Sequence, residues 1–216
     1  MCVACCRYGE FMNDFFTISK ESVFEETEKR SKFISYSFKV STHEDVKEKL
    51  NSVKSKHWDA KHHVYAYVLN NGACVKFSDD GEPGGTAGLP VLNAIQSENL
   101  KNTLVIVVRY FGGILLGTSG LRSMYHSGAE NVLKISGRSH FTLCKKLCLE
   151  VSYSKYGAVL NILECFGAKV LKTDFLDNVK IEIAVPKTNF DSFKDKVFQI
   201  SECGIDDKSG DEYIDI

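Results

Sequence analysis

The stretch TLVIVVRYF, residues 103–111, leaves the fewest choices about what this chain can fold into. Read as a strand, it is apolar on both faces from Leu104 to Val108, and a strand without a polar face must be covered on both sides. It is therefore expected at the centre of a sheet with helices packed on it. As a membrane span it fails on length, since crossing a bilayer takes about 20 apolar residues.

The flanking segments supply the rest of such a sheet. KFISYSFKVS (32–41) alternates Phe33, Ser35 and Ser37 against Ile34, Tyr36 and Phe38, which suits a strand. Thr42 offers an N-cap to a helix carrying Val46, Leu50, Val53 and His57. HVYAYVLN (63–70) and ACVKFS (73–78) flank Asn70-Asn71-Gly72, a hairpin signal because Asn and Gly tolerate positive φ. Thr86 is expected to cap the next helix, with Leu92 and Ile95 inside and Pro90 in the first turn, where its missing N–H does no harm. After the 103–111 strand and GGILLGTSG, an apolar stripe of Leu121, Met124, Tyr125, Gly128, Val132 and Leu133 marks a helix ending near Ser136-Gly137.

The remainder has a different rhythm. FTLCKKLCLEVS reads as a strand, Tyr156 to Phe166 as a helix stopped by Gly167, AKVLKTDF and NVKIEIAVP as a hairpin, and Phe190, Phe193 and Val197 as another helix. A last strand near 203–208 or 211–216 completes βαββαβ, the split-βαβ unit. A boundary near residue 141 divides the chain into 1–141, with a ragged start over 1–12, and 142–216.

Composition narrows the functional classes. The 216 residues, 44% of them hydrophobic, can bury a full core. The start MCVACCRYGEFMNDFF has neither the basic beginning nor the continuous apolar core of a signal peptide, so a cytoplasmic protein with no membrane partner is expected. In that compartment the eight cysteines read as reduced thiols. Cys2, Cys5 and Cys6 have no matching Cys or His pair for zinc, and the segment reads as a frayed terminus or as a lead-in to a start at Met12. Residues 1–142 carry 17 basic and 15 acidic side chains and 143–216 carry 10 and 13, so neither part shows the strong basic excess of a protein held to nucleic acid mainly by phosphate contacts. Locally, 29–63 holds nine Lys/Arg against four acids, which is either an anion-facing side or a solvated helix face.

Two segments carry the chemistry. In SDDGEPGGTAG (78–88), Asp79, Asp80 and Glu82 precede Gly84-Gly85-Thr86; the second segment, Gly112-Gly113 and then Gly117-Thr118-Ser119-Gly120, also leads into a helix. Each glycine-led start offers unpaired N–H groups at the positive end of a helix dipole, so the pair could hold an anion, although neither matches a Walker loop or a dinucleotide fingerprint. At the end of the central strand, Arg109 and Tyr110 emerge, with Arg122 further on; Arg109 either meets phosphate or neutralises one of the three acids. His62 and His63 should point to opposite faces, so one of them can join the acids. As a metal site the set is weak, because all the oxygens come from one loop, and no metal or cofactor is expected. Ser78, Thr86 and Ser119 lack a nucleophile elbow, and Cys74 reads as a small core residue.

SDDGEPGGTAGLP and VVRYFGGILLGTSGL, in that order and together with SKFISY and AKHHVYAY, resemble the YigZ/IMPACT family over residues 31–135, and the βαββαβ part is similar to the second domain of its bacterial members. The resemblance implies an α+β protein: an amino-terminal ribosomal-protein-S5 domain-2-like domain followed by a ferredoxin-like (βαββαβ) domain like the last domain of elongation factor G. It also implies a translation-linked or nucleic-acid-binding role. The stress-kinase role of eukaryotic relatives needs an additional amino-terminal domain for which this chain has no room, so it is not expected here. Two positions depart from the family pattern: Gly84 stands where Ser is usual, and Ser119 where Gly is usual. The first removes a hydroxyl; the second adds an N-cap but asks a non-glycine residue to take the loop's backbone shape.

The functional expectation is a binding protein contacting ribosome, structured RNA or a protein of the translation machinery. Its candidate ligand-contacting residues are His62, Asp79, Asp80, Glu82, Gly84, Gly85, Thr86, Arg109, Tyr110, Gly112, Gly113, Gly117, Thr118 and Arg122. A protein-interaction scaffold and an enzyme acting on a phosphorylated small molecule or nucleotide are the alternatives.

Overall fold

A computed structural model describes residues 14–69, 72–200 and 204–215. Residues Phe15–Ser139 form one unit and the chain from His140 another. The first contains β1 (Phe15–Ile18), β2 (Ser22–Glu28), β3 (Ser31–Lys39), α1 (His43–Lys56), β4 (His62–Leu69), β5 (Cys74–Ser78), α2 (Gly88–Ser97), β6 (Thr103–Tyr110) and α3 (Gly117–Ser136). Its sheet runs β2-β3-β6-β4-β5 with every neighbouring pair antiparallel.

The apolar run is the middle strand, as its composition requires. Leu104, Ile106 and Val108 sink into a core that includes Val46 and Val53 of α1. Val105 and Val107 enter the opposite core, built with Val91 and Ile95 of α2 and Tyr125 and Val132 of α3. Covering both faces leaves the strand's ends as the places where polar side chains can reach solvent.

Local chemistry sets the element boundaries. Thr42 and Asp45 form a capping box on α1: the Asp45 N–H donates to Thr42 Oγ1 (3.1 Å) and the Thr42 N–H to Asp45 Oδ2 (3.0 Å). The β4–β5 hairpin is in register at Leu69 and Cys74 and Gly72 has φ +101°; residues 70 and 71 lie outside the described residues. The β2–β3 hairpin has no such signature, because its turn residues Lys29 and Arg30 take positive φ (46° and 65°) without being Asn or Gly.

Two expected caps are corrected. Helix α2 begins at Gly88 and receives no cap from Thr86, whose hydroxyl instead donates to the Pro83 carbonyl at 2.6 Å. Helix α3 begins at Gly117, so Ser119 lies within its first turn rather than at the N-cap. The positive φ values that the loop needs fall on Gly113 and Gly117, and Ser119 is under no backbone strain.

The second unit consists of β7 (Arg138–Val151), α4 (Tyr153–Cys165), β8 (Lys169–Phe175), β9 (Val179–Pro186), α5 (Phe190–Ile200) and β10 (Gly204–Asp215). The order β10-β7-β9-β8, antiparallel throughout, makes it a βαββαβ sheet. Leu147, Leu149, Ile181 and Ile183 share one core with Val159, Leu163, Phe193 and Val197 of the helices. The last strand takes in both expected positions, with an irregularity between Asp207 and Asp211. The mixed α+β class is thus realised in both units. Among the described residues no helix is long and apolar enough to cross a membrane. Cys2, Cys5, Cys6 and Met12 lie outside the described residues.

Candidate functional site

The three acids of the 78–88 segment point three ways. Asp79 turns into the start of α2: its Oδ1 accepts the N–H groups of Ala87 (3.0 Å) and Gly88 (2.8 Å), and its Oδ2 that of Gly85 (2.9 Å). Burial raises the Asp79 pKa, but the three donors outweigh it and hold the carboxyl below the usual aspartate range. Asp80 lies over the start of β4, where its Oδ2 accepts the His63 N–H at 2.7 Å. Only Glu82 faces the cavity described below.

Glu82 is the hub of a buried polar cluster. Its Oε1 accepts Arg109 Nη1 and the Tyr125 hydroxyl, both at 2.7 Å, and His62 Nε2 stands 3.9 Å from the same oxygen. Arg109 is 5% exposed and Glu82 8%. Strand register produces the arrangement: Arg109 lies opposite Phe33 on one side and His62 on the other, so all three share a face. The guanidinium is 5.5 Å from the ring centres of both Phe33 and Phe111, and its Nη2 reaches Ser31 Oγ at 3.5 Å. His62 Nδ1 is 2.9 Å from the Asp80 carbonyl, which can only accept, so Nδ1 carries a hydrogen and Nε2 is the ring atom turned to Glu82. Burial, reinforced by the Glu82 charge, pushes the Tyr125 phenol far above its ordinary pKa and keeps it a donor.

Over this cluster lies a cavity of about 400 Å³ lined by Lys61, His62, Glu82, Arg109, Phe111, Leu115, Leu116, Gly117 and Thr118, among others. Its polar floor is Glu82, Arg109 and His62, its wall is apolar, and its rim includes the first turn of α3. Among the described residues no side chain caps that turn. Gly112 brings the rim loop against the β2–β3 turn: a Cβ there would stand 2.0 Å from the Arg30 carbonyl carbon, so only glycine fits.

The chain has relatives among known proteins. Residues 29–133 match the Impact N-terminal domain, and 149–202 match a domain of unknown function, DUF1949. The chain is 30% identical over 201 residues to IMPACT family member YvyE of Bacillus subtilis, covering 93% of each. It belongs to the IMPACT family. An IMPACT family member of Haemophilus influenzae is 33% identical over 196 residues, 88% of this chain and 94% of that one. A crystal structure described only as that of a hypothetical protein aligns over 90% of this chain and 97% of its own with a TM-score of 0.62 and 29% identity.

The IMPACT-type sequence motifs do not all converge on the cavity. His62, Glu82, Arg109, Gly117 and Thr118 line it. Tyr110 does not: on a strand it must face away from Arg109, and its hydroxyl donates to Asp59 Oδ1 (3.1 Å) and meets His57 Nδ1 (2.9 Å) on the α1 side. Asp79, Asp80 and Thr86 are occupied by backbone partners, which also closes the α2 start to an external anion. Gly85, with φ +71°, shapes the turn that wraps Asp79. Gly84, Gly113 and Arg122 are exposed and lie outside the lining. His62 and His63 face opposite ways as expected: His63 Nε2 meets the His57 carbonyl at 3.0 Å. Among the described residues no three His, Cys, Asp or Glu side chains are grouped to hold a metal. Sequence reasoning missed Tyr125, which looked like one more apolar-stripe residue, Phe33, which strand register sets opposite Arg109, and Ser31 and Lys61, which only the folded sheet brings to the site.

Proposed function

We propose that this IMPACT-family chain is a translation-linked binding protein that engages ribosomal or other structured RNA at the mouth of the Glu82–Arg109 cavity. The observation that carries this reading is the division of labour between floor and rim. Arg109, Glu82 and Tyr125 are tied to one another, whereas the rim presents Lys61, Phe111 (49% exposed), Leu115 (82% exposed) and the uncapped start of α3. An unstacked base packs on Phe111 and Leu115, while its phosphate meets Lys61 and the Gly117–Thr118 amides. Arg109, held by Glu82, positions the ring of Phe111 rather than clamping phosphate.

The test is binding of the full chain to ribosomes or structured RNA across a salt series. Binding should weaken steeply with salt; Lys61→Glu should flatten the log–log slope by about 1, and Phe111→Ala should weaken affinity by about 1–3 kcal/mol. No binding at low salt, or binding indifferent to both substitutions, refutes the proposal.

One observation favours a second reading, an enzyme acting on a phosphorylated small molecule. Among the described residues both hydrogen bonds to the Glu82 carboxylate fall on Oε1, and His62 Nε2 stands 3.9 Å from that oxygen, so a carboxylate and an imidazole face an apolar-walled cavity together. A rise in melting temperature with ATP, GTP or a nucleoside phosphate plus magnesium that Lys61→Glu abolishes would support this reading over RNA binding.

A further inference from the structure

The lysines of the basic 29–63 stretch do not share one fate. Lys32 pairs with Glu25 (2.7 Å), Lys49 pairs with Glu21 (2.8 Å) and covers the Phe38 ring, and Lys56 lies 5.2 Å from the centre of the Tyr36 ring. Lys47 and Lys54 have no ion-pair partner among the described residues, nor does Lys76 of β5. These three line one cavity of about 330 Å³, with His43 and Asn51 of α1 and Tyr65 and Tyr67 of β4. No carboxylate lines it, although α1 also carries Glu44, Asp45 and Glu48; Asp45 is engaged in the capping box.

Three cations around one concavity repel one another, and an anion placed among them removes that repulsion. The wall behind them is aromatic. The Tyr65 and Tyr67 rings are parallel within 6° at 6.3 Å. Tyr67 is buried and its hydroxyl meets His43 Nδ1 at 3.2 Å, but the hydroxyl of half-buried Tyr65 has no hydrogen-bond partner among the described residues, and the residue lines the cavity.

We propose that this cavity binds a phosphorylated nucleoside, with its phosphate among Lys47, Lys54 and Lys76 and its base against the Tyr65 ring. The nucleotide comes either free or as one unit of a single-stranded RNA. The site uses none of the residues of the Glu82–Arg109 cavity: on β4, Tyr65 and Tyr67 face α1, while Val64 and Ala66 face α2 and α3. Either proposal can therefore fail without the other.

The test is equilibrium binding of the full chain to AMP, ATP and a short single-stranded oligoadenylate at low salt. It compares wild type with a Lys47→Glu, Lys54→Glu, Lys76→Glu triple variant, with Tyr65→Leu and with Phe111→Ala. The three lysines are exposed, so the triple variant should fold as wild type does, with a melting temperature lowered only slightly by the acid placed in the last turn of α1. It should bind about tenfold more weakly or worse, and on the oligonucleotide its slope of log affinity against log salt should drop by about 0.7, the value for one phosphate neutralised on a single strand. Tyr65→Leu should weaken binding and Phe111→Ala should leave it unchanged. ATP binding as tightly as the oligonucleotide identifies a free nucleotide; binding of the oligonucleotide alone identifies the strand. Wild type that binds none of the three, a triple variant of unchanged affinity, or inorganic phosphate binding as tightly as ATP overturns the proposal.

Discussion

Helices α2 and α3 both begin after a glycine-rich turn, and they differ in what stands upstream. Nine residues before Gly88 lies Asp79, whose carboxylate takes the amides of Gly85, Ala87 and Gly88. Upstream of Gly117 stand Ile114, Leu115 and Leu116, and among the described residues no side chain caps α3. Both starts carry the same positive dipole, but one is filled from within the chain and the other opens on a cavity. A helix start is thus a site for an external anion only if the sequence has not already provided one of its own.

The largest effect should come from the loop that fixes α2. Glu82→Ala would leave the Arg109 charge buried and unpaired and cost about 3–5 kcal/mol, read as a lower denaturant midpoint; adding Arg109→Met should recover much of the loss. A single variant as stable as wild type would show that Arg109 does not need the Glu82 carboxylate as its buried partner.

Asp79→Ala should cost about 1–2 kcal/mol, as loss of an N-cap does, and should make the two starts alike. Inorganic phosphate should then raise the melting temperature of the variant more than that of wild type. The contribution is pH-dependent with a defined sign. Because the Asp79 pKa is lowered by folding, its stabilisation is fully present above the unfolded aspartate pKa and is lost as pH falls through the folded one. The gap in melting temperature between wild type and Asp79→Asn should therefore close only in acid.

The smallest stability effect is expected from the reverse experiment. Thr118→Glu gives the exposed start of α3 an acid of its own in the first turn and should add about 0.3–1 kcal/mol. The same change should abolish RNA binding at the cavity mouth, so stability and binding would move in opposite directions.

Much of the fold was legible because it rests on local patterns. The two-faced apolar run had to be central, Thr42 offered an N-cap that opens a helix, and the carboxy-terminal periodicities had to make βαββαβ. The β2–β3 hairpin was not legible: Lys29 and Arg30 carry none of the usual turn chemistry, and β2 is a half-exposed edge strand whose inward residues are Ser22, Phe24 and Glu26. The candidate site was read only in part. The pairing of Arg109 with an acid was foreseen as one alternative, but which acid depended on where each carboxylate points in a tight loop.

By itself, the sequence determined which apolar stripes are buried, which strand is central, where the helices begin within a few residues, and that Arg109 and His62 stand at strand ends. The tertiary structure decided how their chemistry is shared. Period two sends Arg109 and Tyr110 to opposite faces; strand register sets Arg109 between Phe33 and His62; and the packing of α3 brings Tyr125 to Glu82. Burial of an apolar side chain follows from its own transfer energy and so is written locally. The partner of a buried charge is set by distances between segments far apart in the chain, and those exist only once the sheet is assembled.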